Sequence, residues 1–85
     1  ESSPALIERL RVGLRDGNAV AVREAAHALK SSSASLGAAA LAALAQQLEA
    51  RGRSGDLSRS AAIGVQLLAE YQRVVLALRA LSEAA

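Results

Sequence analysis

The sequence contains no cysteine, so it offers no disulfide framework, no thiolate metal site and no cysteine nucleophile. Its single histidine, His27, removes the usual His-rich metal centres. Tyr71 is the only aromatic residue, and Trp, Phe and Met do not occur. A core must therefore be made of Leu, Val, Ile and Ala. Charge of one sign is also scarce. Ten Lys and Arg face eight acidic residues, and the net charge is only +2. A nucleic-acid surface gathers its basic residues beside stacking aromatics. The nearest cluster here is Arg51-Gly52-Arg53, which reads as a loop, so no nucleic-acid partner is expected. Ser31 to Leu48 is uncharged but carries four Ser, two Gln and a Gly. A membrane-spanning helix needs about 20 mostly apolar residues, so this stretch reads as an Ala-rich helical hairpin and no membrane contact is expected. No signal peptide is visible. The absence of an initiator Met reads the chain as one domain from something longer.

What is present is helix-forming. Ala and Leu dominate a chain that is 52% hydrophobic, and Pro4 is the only proline. Ser3-Pro4 reads as an N-cap followed by Pro at the first helical position. Leu6, Ile7, Leu10 and Leu14 then form a helical stripe. Asp16-Gly17-Asn18 ends that helix and caps the next. The second helix is predicted from about Ala19 to Leu36, where Gly37 breaks it, and the third from Ala38 to about Arg51. Arg51 to Asp56 reads as a loop. The fourth helix is predicted from about Leu57 to Ser82, with a stripe of Leu67, Leu68, Tyr71, Val74, Val75, Leu78 and Leu81. Short connections make successive helices antiparallel, so the expected fold is all-α, an up-down four-helix bundle over residues 1–85.

His27 is also close to the only lysine, Lys30, in a chain whose other basic residues are arginines. At 100° per residue, Val22, Ala25, Leu29 and Leu36 fall opposite His27, flanked by Ser32 and Ser33, and form the buried face. Arg23, Glu24, Lys30 and Ser31 fall within about 60° of His27. The histidine is therefore expected to face water. Ala28, Ser31, Ala34 and Ser35 leave it unobstructed. If helices two and three fold back at Gly37, Gln46 and Glu49 come level with His27. A carboxylate there accepts a hydrogen bond from Nδ1–H, fixes the tautomer and leaves Nε2 with its lone pair. The plainer alternative for Glu49 is a solvated residue paired with Arg53 at i+4.

Ala26-His27-Ala28-Leu29-Lys30-Ser31-Ser32-Ser33-Ala34-Ser35-Leu36-Gly37-Ala38, followed by Leu41, Leu44, Leu48 and Glu49, closely resembles the histidine-containing phosphotransfer (HPt) domains of two-component phosphorelays. Their pattern is roughly A-H-x-L-K-G-S-S-x-x-L-G-A, then spaced leucines ending in L-E. The resemblance covers about residues 20 to 50; the flanking helices agree only in length and amphipathicity. It implies that His27 is the phosphoacceptor at Nε2, that Lys30 offsets the phosphoryl charge, and that Glu49 hydrogen-bonds the imidazole. Arg23, Glu24, Ser31, Ala34 and Gln46 then belong to the partner-binding face. Ser31 stands where the family prefers Gly, and Ala45 where many members have Cys.

Phosphoryl transfer needs positioning and charge stabilisation more than covalent chemistry from the protein. The chain has no Gly-rich phosphate loop, no Walker pattern and no acidic cluster for Mg²⁺. A phosphocarrier without an ATP site, and no enzyme in its own right, is thus expected, with no cofactor of its own. The resemblance implies receiver domains as partners, Mg²⁺ held by the receiver, a monomer, and a cytoplasmic location, including that of a module of a membrane-bound sensor kinase. Two other classes stand beside this one. One is a non-catalytic adaptor binding a partner through the exposed face of helix two. The other is a regulatory segment phosphorylated on Ser31 to Ser35, whose phosphate would be acid-stable.

Overall fold

The computed structural model of the chain describes residues 2–84 and places them in four α-helices: α1 (Ser3–Asp16), α2 (Ala19–Ser35), α3 (Ala39–Ser54) and α4 (Ser60–Ala84). Each start and stop has a local cause. The N-cap of α1 is Ser2, one residue earlier than expected, with Pro4 in the first turn where a missing N–H costs nothing. Gly17 closes α1 at φ 67°, a left-handed conformation that glycine adopts without strain. The Asn18 side chain then accepts a hydrogen bond from the Ala21 amide at 3.1 Å and caps α2.

α1 packs against α2 and α4, and α3 packs against the same two helices, with the α2–α3 pair the most intimate. The result is the expected up-down bundle. Leu6, Leu10, Val22, Ala25, Ala26, Leu29, Leu41, Ala45, Leu48 and Leu67 form its buried core. Ala25, Ala26 and Ala45 have no exposed surface, so small side chains bring α2 and α3 together as their composition suggested. The uncharged run Ser31 to Leu48 is split by the turn at Gly37, where φ is 76°.

Four further expectations are corrected. First, Arg51-Gly52-Arg53 is helical: α3 continues to Ser54 and its C-cap is Gly55, not the first glycine of the run. Second, α4 begins at Ser60 rather than Leu57, because Arg59 adopts φ 101° and interrupts helical geometry. Third, Leu36 is 60% exposed rather than buried. It is the C-cap of α2 and lies past the last turn, at the open end of the bundle. Fourth, only part of the α4 stripe packs. Leu67 is buried and Tyr71 and Val74 lean on the core, whereas Leu78 and Leu81 are exposed. A helix of 25 residues is about 37 Å long, more than its shorter neighbours can cover. Ser60–Glu83 is also long and apolar enough, by length and composition alone, to cross a membrane.

Candidate functional site

His27 lies near the middle of α2, on the side that meets α3, with 63% of its side chain exposed. Its Nδ1 is 2.7 Å from Oε2 of Glu49, twenty-two residues further along the chain. The hairpin at Gly37 makes this contact, bringing the last turns of α3 level with the centre of α2. Glu49 is 5% exposed, yet it lines an open depression together with Arg23, Glu24, His27 and Arg53. Lys30 Nζ approaches Oε1 at 2.7 Å, and Arg53 Nη2 donates to Oε2 at 3.1 Å. The Lys30 ammonium above all, and then the His27 ring, hold the Glu49 carboxyl below the ordinary carboxylate range, against burial that would raise it. An ionised carboxylate can only accept, so Nδ1 carries the proton. In the neutral ring the lone pair is then on Nε2.

Both sequence readings of Glu49 hold at once: it bonds the imidazole and it pairs with Arg53. Lys30 differs from the simple picture of an ammonium free beside the histidine, because it is tied to Glu49. Arg23 and Glu24 are exposed and line the depression around His27, Glu49 and Arg53. Ala34 and Gln46 are exposed and line a second, neighbouring hollow that begins at Lys30. Ser31 is exposed and borders neither hollow.

The sequence places Arg53 in a loop, and the structure puts it in the site. The signal lay in its i+4 spacing from Glu49. Gly52 conceals it: a glycine between two arginines looks like a break, but here it is a buried contact point against α2. Among the described residues no group of three or more His, Asp or Glu side chains is placed to hold a metal ion.

The arrangement suits one kind of chemistry. An exposed imidazole is anchored at Nδ1 by Glu49, and Arg23, Lys30 and Arg53 lie around it alongside Glu24 and Glu49. That suits an acceptor of an anionic electrophile. A family model described as the Hpt domain matches residues 1–83. No curated protein and no solved structure matches the chain significantly.

Proposed function

The chain belongs to the Hpt domain family, and from that premise we propose that His27 takes a phosphoryl group from a receiver-domain aspartate and hands it to another. Domains of this family are histidine-containing phosphotransfer modules that work with receiver domains in phosphorelays. The observation that carries the assignment is the exposed ring whose Nδ1 is bonded to Glu49, leaving Nε2 for the reaction.

The step balances without a proton leaving the ring. The Nε2 lone pair attacks the phosphorus of the aspartyl phosphate, the P–O bond to the aspartate breaks, and the carboxylate departs with the bonding pair. The ring, still protonated at Nδ1, takes on positive charge that the Glu49 carboxylate offsets. The second transfer reverses these events towards a different aspartate. Lys30 is one helical turn from His27 and offsets charge on the phosphoryl group. The metal belongs to the receiver, which brings Mg²⁺ with its own acidic residues. Arg23, Glu24, Ser31, Ala34 and Gln46 form the face on which the receiver docks, the small residues allowing close approach. The domain works as a monomer, in the cytoplasm.

The test is incubation with a phosphorylated receiver. The wild type is expected to gain acid-labile, base-stable phosphate, and His27→Gln to gain none while keeping its fold. Label on the Gln variant, or acid-stable label on a serine, would overturn the assignment. A docked receiver with no label on His27 would favour a binding-only adaptor.

A further inference from the structure

Glu49 faces two conflicting demands. Its hydrogen bond to Nδ1 orients the His27 ring. But an opposite charge at hydrogen-bond distance also favours the protonated imidazolium, which has no lone pair at Nε2. A carboxylate left alone with the ring would therefore orient the acceptor and at the same time disable it. The structure does not leave it alone: Lys30 occupies Oε1, and Arg53 shares Oε2 with the ring.

We infer that Lys30 and Arg53 act on His27 through Glu49, dividing its negative charge so that the carboxylate aligns the ring without holding it protonated. They are positioning residues in this role. The idea deepens the phosphotransfer reading and rests on it for its consequence, since only an acceptor requires the unprotonated ring.

The geometry ranks the two cations. Lys30 makes the shorter contact and is 34% exposed, whereas Arg53 is 70% exposed and its bond is longer, so solvent screens it more. The other charges around the ring are Arg23 and Glu24, on α2 itself. They are opposite in sign, and neither bonds the carboxylate. From α3, Glu49 and Arg53 face the ring, and α1 and α4 place no charged side chain in that depression. Arg53 reaches Glu49 one turn back along α3, next to the close α2–α3 contact at Gly52.

The test needs no partner. The chain has one histidine, so its ring resonances are unambiguous and its protonation can be followed by NMR against pH. Lys30→Ala is expected to move the midpoint of His27 upward, and Arg53→Ala to move it upward by less. Lys30→Arg and Arg53→Lys restore it, because they keep the charge. Glu49→Gln moves the midpoint downward, and in that background Lys30→Ala has a smaller effect. Unmoved midpoints in both alanine variants would overturn the inference. An undiminished shift in the Glu49→Gln background would also overturn it, since the cations would then act on the ring directly. Far-UV circular dichroism verifies that each variant is folded. The phosphotransfer reading fails by a different result, a wild type that takes no acid-labile phosphate. Where both readings hold, the pH profile of phosphate acceptance in Lys30→Ala moves upward with the titration.

Discussion

Gly52 meets the backbone of Arg23 so closely that a Cβ on it would lie 2.7 Å from the Arg23 amide nitrogen and 2.8 Å from the Ala19 carbonyl oxygen. Both are backbone atoms of a capped helix and cannot rotate away. Gly52→Ala should therefore push α3 off α2 and cost about 1–3 kcal/mol of stability. The sign is informative, because in an open helix the same change stabilises by about 1 kcal/mol. Urea unfolding decides it, and a variant as stable as the wild type would show that the contact can relax. The separation should also weaken the His27–Glu49 bond, which depends on the same crossing.

Acid should expose the value of the Glu49 site. Its folded pKa lies below the ordinary value of 4.5, first through Lys30 and then through His27. A lowered carboxyl contributes stability that is present above the unfolded value and is lost as pH falls through the folded one. Glu49→Gln should thus be less stable than the wild type near neutrality, and the gap should close as pH drops below about 4.5. Glu8, Asp16, Asp56 and Glu70 shift in the same direction, but the Glu8, Asp16 and Glu70 pairs are local arginine pairs at the surface, which salt screens. Urea midpoints of the two proteins at a series of pH values, in moderate salt, measure the difference. A gap that stays constant into acid would mean that the carboxylate charge adds nothing to folding.

Leu29 and Leu36 are seven residues apart on α2, and a helical wheel puts them on one face. The structure separates them, with Leu29 in the core and Leu36 beyond the last turn. Leu29→Ala should cost about 2–5 kcal/mol, and Leu36→Ser no more than about 0.5 kcal/mol. Thermal or urea melts of the two variants compare them directly. Similar losses would mean that Leu36 is covered in solution.

The same pair shows what the sequence could and could not reveal. Periodicity located the faces of the helices because burial follows the helical repeat wherever a neighbour lies opposite. It could not tell where the neighbours end, and so it overextended the buried stripe at Leu36 on α2 and at Leu78 and Leu81 on α4. Glycine was the other ambiguity. Gly17, Gly37 and Gly55 stand at positive φ and stop or turn the chain, whereas Gly52 is helical and serves close packing. Only the backbone of α2 lying against it distinguishes the two uses. The contact between His27 and Glu49 was legible because both its ends were polar residues at similar distances, ten and twelve residues, from the turn at Gly37. The attachment of Lys30 to the same carboxylate was not, since a long flexible ammonium can reach several anions and only packing selects one.

Ser31 provides the sharpest test of where a receiver docks. It is exposed, immediately follows Lys30, and stands one helical turn from His27, with the small exposed residues Ala34 and Ser35 a turn further on. Replacing it changes no buried contact, so Ser31→Gly and Ser31→Trp should both lie within about 0.5 kcal/mol of wild-type stability. Their transfer rates should nevertheless diverge. Glycine removes a hydroxyl and leaves room, so phosphate acceptance should persist. An indole there would hold the receiver several ångströms away, and in-line attack tolerates little displacement: about 1 Å of misplacement can cost a hundredfold in rate. Ser31→Trp should therefore slow acceptance by at least about tenfold, while acetyl phosphate or another small donor, which needs no docking surface, should lose little. Equal slowing with both donors would assign the effect to the ring itself, and no slowing with the receiver would move the docking surface off this face of α2.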